Sequence, residues 1–451
     1  MRTSTKSAIS AAAATLLAAG LAATSISPAT AHPDHDGSGK EAGFDLVIED
    51  VSPGGVPAER ITDVRCEDDL AGIFPCHKID LMTYVPLKEI GSVWANDVWG
   101  WTDPETDREY TLLGTFEGTA FFDVTDGHDV LYLGTLPSHT MVGSGGVWRD
   151  IKVDDNHAYV VSENAGHGMQ VFDLTRLRGV SEEQVWTEDG WVGGFGHAHN
   201  LAINEDTDTA YVIGARRDVT ACGQAGNGGG GPIILDLSDH ASPVVAGCYA
   251  GDGYTHDIHC VTYHGPDAEH AGREICSASN EDTVTVLDAT DPADVRQLAR
   301  VPYDTAAYTH QGWFSEDHRY FLLGDEIDEL AGNVDRTTTY IFDMSDLDNP
   351  VLTGTASSGL NSIDHNIFIK DGLAYESNYT SGLRVFDGWR LDQGRMREVG
   401  YFDGYPADDR VGFAGSWSNY PWFRDGKVVF TGTEEGLFVV KTRVKSSAPG
   451  R

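Results

Sequence analysis

Basic residues are scarce in this chain, cysteine is rare, and no long apolar run is present. Lys and Arg number 31 against 70 Asp and Glu in 451 residues, a formal charge of −39. Such a chain repels phosphate backbones, which argues against nucleic acid as a partner. It attracts divalent cations or basic partners, or simply keeps an exported protein soluble. The one alanine-rich run, Ala11 to Ala23, is too short and too weakly apolar to span a membrane. The six cysteines contain no CxxC spacing, which argues against a thiolate zinc site or a redox pair. A Gly-x-Ser-x-Gly elbow, an HExxH motif and an EF-hand loop are all missing. Gly223 to Gly231 is glycine-rich but lacks a following Lys-Ser/Thr, so it reads as an insertion rather than a phosphate loop.

What is present begins with an export pattern. Arg2 and Lys6 precede the apolar run, and Ala29-Thr30-Ala31 fits a small-residue cleavage site. Residues 1–31 therefore read as a signal peptide. Residues 32–65 read as a partly disordered extension, 66–441 as the folded domain and 442–451 as a tail. An even cysteine count in an exported chain points to disulfides. Proximity favours Cys66–Cys76, Cys222–Cys248 and Cys260–Cys276. The expected product is secreted and monomeric, and its partner is an extracellular ligand or protein.

The folded part repeats about every 50 residues. The clearest unit is an apolar strand ending in Asp, as in Ala120-Phe121-Phe122-Asp123, Gln170-Val171-Phe172-Asp173 and Tyr340-Ile341-Phe342-Asp343. An Asp at that point can accept backbone N–H groups of the following turn. Each such strand follows two short ones, and a fourth strand comes after. Asp97, Asp150, Asn200, Asp257, Gln311, Asn366 and Trp417 open the first strands of seven units. Aromatic and β-branched runs separated by Gly, Asp and Asn fit strands and turns rather than helices. The pattern predicts an all-β fold, a seven-bladed β-propeller. The last unit has only three strands, and an N-terminal strand at Val85 to Gly91 is expected to complete it and close the ring.

Several strings resemble the choice-of-anchor B family of exported bacterial proteins, and the Asp-ending strands are similar to LVIVD repeats. They include Cys76-His77-Lys78-Ile79-Asp80-Leu81, Trp148-Arg149-Asp150, His197-Ala198-His199-Asn200, Tyr254-Thr255-His256-Asp257, Tyr308-Thr309-His310-Gln311 and Asp364-His365-Asn366. The resemblance runs from about residue 66 to 441. It implies a β-propeller in an extracellular setting and brings no established activity.

Chemistry is suggested by register. His199, His256, His310 and His365 occupy one phase of four repeats, each followed by a polar residue. On a closed propeller they would share an arc at the channel mouth. Four imidazoles suit zinc, copper or iron. They could equally be a polar ladder that bridges blades. Acidic residues recur in the loops after the second strands, and Glu163, Glu281 and Glu326 are the candidate catalytic bases. Arg149, Asp150, Asn200, Asp257, Gln311 and Asn366 are candidate ligand-binding groups, with Arg149 either holding an anion or pairing with Glu163 or Asp150. His197 and His259 are candidate orienting groups or further ligands. Trp99, Trp101, Trp148, Trp313 and Trp417 belong either to an aromatic pocket or to core packing. Two functions follow: a binding module with a metal or polar-ligand site, and an extracellular metalloenzyme.

Overall fold

Short strands bounded by tight turns pair most readily with their sequence neighbours, and most of each sheet is built that way. The computed structural model describes residues 51–141, 148–216, 219–222 and 229–447. Residues 1–50, which hold the expected signal, and residues 223–228 of the glycine-rich insertion lie outside the described residues. The strands group into seven sheets. The innermost strands are Ala95–Thr102, Arg149–Asp154, Asn200–Asn204, Asp257–Thr262, Thr309–Phe314, Asn366–Lys370 and Ser416–Tyr420. Each adjoins the next, and the last adjoins the first. The chain is therefore a seven-bladed β-propeller.

The turns behave as the repeat predicted. Asp123, Asp173, Asp236, Asp288 and Asp343 each accept a backbone N–H two residues on, at 2.8 to 3.1 Å. The three disulfides are Cys66–Cys76, Cys222–Cys248 and Cys260–Cys276. In the second blade the outer strand is short, Gly190–Val192. The preceding Gln184–Val185 instead runs parallel to Leu131–Pro137 of the first blade.

The closing strand begins six residues earlier than expected. The N-terminal strand of the last blade is Ile79–Pro86, paired with Gly436–Thr442. Leu87–Ile90 is a 3-10 turn that ends at Gly91, whose φ is 70°. Pro86 has no N–H to carry the ladder onward, and Gly91 tolerates the left-handed backbone. The segment before the closing strand is also used. Ile61–Val64 adds a fifth strand to the last sheet, and Phe74–His77 pairs with Arg395–Phe402 of the sixth blade. Residues 61–86 thus bind the last two blades to each other.

Their shared core is aromatic. Phe430 and Phe438 stack at 4.6 Å, Tyr84 lies 4.8 Å from Phe438, and Phe74 lies 5.3 Å from Phe402. All are buried. Phe438→Ala is expected to cost about 3–5 kcal/mol through lost burial and the cavity left behind, measured by chemical denaturation. Glu435, beside this core, is also buried and accepts from Ser52 Oγ at 2.9 Å. Burial raises its pKa to about 7. A carboxyl whose folded pKa exceeds its unfolded one stabilises below the unfolded pKa and loses that contribution as pH rises through the folded one. Glu435→Gln should therefore stabilise the fold relative to the wild type at about pH 8 and give no gain at about pH 5. Equal effects at both pH values would show that the carboxyl is ionised throughout.

Candidate functional site

The inner strands place their first residues around the axis, so residues of one repeat phase meet. His199, His256, His310 and His365 do form an arc, with ring centroids 4.3, 4.3 and 4.4 Å apart in sequence. Trp417 continues it 4.4 Å from His365, and Trp148 stacks on Trp417 at 4.5 Å. The rings are not at an open mouth. Their exposures are 4, 0, 1 and 2%, because Tyr308 and Tyr379 pack over His256 and His365 at 5.1 and 4.6 Å.

The four histidines part into different partnerships. His365 Nδ1 donates to the Trp417 carbonyl at 2.6 Å and His256 Nδ1 to the His310 carbonyl at 3.1 Å. A carbonyl only accepts, so in these rings the hydrogen sits on Nδ1 and the lone pair on Nε2. His199 Nδ1 lies 2.6 Å from Glu163 Oε1. His310 Nε2 and His365 Nε2 both face Glu326, at 3.7 and 3.5 Å. His310, Glu326 and His365 bring ligand atoms within 4.8 Å of one another. Glu326 Oε2, His365 Nε2 and His310 Nδ1 have no hydrogen-bond partner among the described residues.

Electrostatics follow from burial. It pushes His310 well below the usual imidazole range and His365 down to about 3, so both are neutral. It pushes Glu326 up to about 8, which Asp325 reinforces and the Tyr379 hydroxyl opposes. That hydroxyl donates to Glu326 Oε1 at 2.5 Å. Tyr379 itself holds a left-handed φ of 38°, the kind of local strain that gathers at working sites. Neutral imidazoles with free lone pairs beside a buried carboxylate are what a transition metal needs. The Nδ1 bond of His365 to the Trp417 carbonyl fixes that ring's orientation, as such a site requires.

The other candidates fall elsewhere. Of the three proposed bases, Glu326 joins two histidines and Glu163 joins His199. Glu281 sits 3.3 Å from Arg216 instead. Arg149 donates to the carbonyls of Thr115 at 2.7 Å and Phe116 at 3.2 Å. Burial draws its pKa down to about 10 while Glu117 opposes this. Asp150 Oδ2 accepts from Leu201 N at 2.7 Å and Gln311 Oε1 from Ile367 N at 2.8 Å. Asn200 Nδ2 donates to Asp257 Oδ2 at 2.9 Å. This polar ring ties the second blade to the third, the third to the fourth and the fifth to the sixth. His197 Nδ1 reaches the Glu163 carbonyl at 2.6 Å, and His259 accepts from Phe314 N at 3.0 Å while stacking on Trp313.

Beyond the polar ring the channel widens into a cavity of about 730 Å³, opening on the face opposite the histidines. Trp99, Trp313, Phe368 and Trp422 wall it. Lys152 lies 4.6 Å over Trp99 and 2.7 Å from Asp150. Its inner end reaches Asn200, Asp257, Gln311 and Asn366, each one residue from a histidine of the arc. Asp155, Glu205 and Asp206 stand at its rim. Trp422 and Phe368 escaped the sequence reading. The apolar inner-strand position two residues after Asn366 was the available signal for Phe368.

No protein-family model and no curated protein matches the chain. Among solved structures it is similar to a functionally unknown protein from Desulfotomaculum acetoxidans, at 12% identity over 73% of this chain and 90% of that one, TM-score 0.49. A protein from Lactobacillus plantarum is similar at 12% identity over 78% and 96%, TM-score 0.49. So is the β-propeller domain of Cps50 (Swd1) from Myceliophteria thermophila, at 11% identity over 74% and 94%, TM-score 0.47. These likenesses concern the fold alone.

Arg149 gives a direct test of the inner ring. Arg149→Met keeps the apolar stem and removes both donors to the first blade. Leaving buried carbonyls unmet should cost about 1–3 kcal/mol in a denaturation experiment. Unchanged stability would mean that the guanidinium does not clamp the blades.

Proposed function

We propose that this protein is an exported β-propeller binding module. Its central cavity takes a small extracellular ligand, and a transition metal closes the inner end of the channel. The observation that carries the reading is the meeting of His310, His365 and Glu326 within ligating distance of one another. All three are buried, and their atoms face one point from two neighbouring blades. His256 and His199 extend the same arc on one side. Two imidazoles and a carboxylate suit zinc, copper or iron ahead of calcium. Export is supported by the leader pattern of residues 1–31 and by three disulfides. The histidine-bearing strings support membership of the choice-of-anchor B family, with LVIVD repeats as the blades.

A second reading, an extracellular metalloenzyme, rests on one further observation. Three protein ligands leave coordination positions for water or substrate, and the cavity comes within one residue of each histidine. Zinc there would supply hydrolytic chemistry, and iron or copper would supply oxidation. Glu163 would then orient His199, and Tyr379 would hold the Glu326 carboxylate.

Elemental analysis of the tag-free mature protein is the test. Near-stoichiometric zinc, copper or iron is expected, and the His310→Ala/His365→Ala variant should lose it while staying folded by circular dichroism. No bound transition metal, even after reconstitution with zinc, copper, iron and manganese, would leave the arc as a hydrogen-bonded ladder and sink the metal reading. Cobalt substitution separates the two functions. A visible spectrum that shifts on adding azide shows an open metal position and favours the enzyme. A spectrum that does not respond favours the closed plug of a binding module.

A further inference from the structure

The loop that delivers Glu326 to the histidines carries more acid than that site uses. It reads Asp325-Glu326-Ile327-Asp328-Glu329, and Asp328–Ala331 forms one helical turn. Glu326 faces the axis. Asp328 and Glu329 instead meet Asp364 of the next blade, and one oxygen from each of the three lies within 4.8 Å of the others. Asp364 is the chain neighbour of His365, so each blade sends residues close in sequence to two separate clusters.

This second cluster is buried and lacks a counter-charge. Asp328, Glu329 and Asp364 are 0, 7 and 3% exposed. Neither oxygen of Glu329 has a hydrogen-bond partner among the described residues, and Asp328 Oδ1 and Asp364 Oδ2 also lack one. Asp328 Oδ2 accepts from Tyr340 Oη at 2.6 Å, so Oδ1 is its unmet oxygen. No Lys or Arg pairs with any of the three among the described residues. The charged groups that face Asp364 are carboxylates: Asp328, Glu329, Glu376 and Asp325. Gly324 makes room, since a Cβ there would stand 2.4 Å from Asp364 Oδ2. Three buried carboxylates with unmet oxygens are stable only with shared protons or with a bound cation.

We propose that Asp328, Glu329 and Asp364 form a calcium site between the fifth and sixth blades. All-oxygen donors suit a hard cation, and calcium sheds its water for several carboxylates far more readily than magnesium. The site is separate from the histidine cluster and does not depend on whether that cluster holds a metal. Its ion would fix the 325–331 loop against the sixth blade and so hold Glu326 in place.

Chelator-stripped protein should gain several degrees in its unfolding midpoint when calcium is added at about 1 mM, the affinity range of extracellular calcium modules. Magnesium at the same concentration should give little. Glu329→Gln and Asp364→Asn should each abolish the calcium shift, while His310→Ala should keep it. Terbium gives a second readout that needs no variant. Excitation of tyrosine should sensitise terbium emission through Tyr340, and calcium should quench it with a stoichiometry of one ion per chain. The proposal is overturned by a wild type with neither a calcium shift nor calcium-competed terbium emission. It is equally overturned by a shift that survives in folded Glu329→Gln and Asp364→Asn proteins, since the ion would then bind elsewhere.

Discussion

Everything in this molecule depends on closing a ring of seven inner strands around a narrow axis. Side chains at the start of those strands are forced together away from water, and their polar groups must find partners there. The chain meets the demand by reaching sideways. Asp97 accepts from Ile151 N at 2.9 Å, Asp150 from Leu201 N and Gln311 from Ile367 N, each from the next blade. These blades are therefore held by their neighbours as well as by their own ladders. The constraint explains why Asp and its amide relatives recur at this phase. It also explains why residues 61–86 are committed to the sixth and seventh blades, where the chain ends would otherwise part.

The histidines occupy the position just before that ring and inherit the same crowding. Packed at a tilt with centroids about 4.3 Å apart, they cannot all be charged, and burial keeps His310 and His365 neutral. Which of them can act together is decided outside the inner strands. The loop after the second strand of each blade supplies a different group: Glu163 to His199, Arg216-paired Glu281 in the fourth blade, and Glu326 to both His310 and His365. The barrel of strands is nearly symmetric, but the loops are not, and the local chemistry belongs to the loops.

That division also marks how far the sequence could be read. The blades, their order, the Asp-ended strands and the cysteine pairs were legible because they rest on local periodicity and proximity. The shared arc of four histidines was legible because equivalent phases must meet on a closed ring. The closing strand was placed too late, at Val85 to Gly91, whereas it begins at Ile79 and Pro86 ends it. The separation of His199 and His256 from His310 and His365 was not legible. It depends on side-chain direction in loops, where no periodicity constrains the backbone. Asp364 stood in a quoted string beside His365, yet nothing in its phase showed that it would face Asp328 and Glu329.

The strong acidity of the chain then takes on a second meaning. Part of it is solvent-facing and serves solubility, but Asp325, Glu326, Asp328, Glu329, Asp364 and Glu376 are buried around one inter-blade seam. Asp325 satisfies its oxygens with Tyr303 Oη and two backbone N–H groups, and Glu376 with Thr339 and Asn378. The remaining four carry oxygens without hydrogen-bond partners among the described residues. A protein gains nothing in folding energy from such groups when they are alone, since each opposes burial at neutral pH. Their concentration in one seam, beside the two histidines that share Glu326, makes cation binding the interaction that would turn this cost into stability.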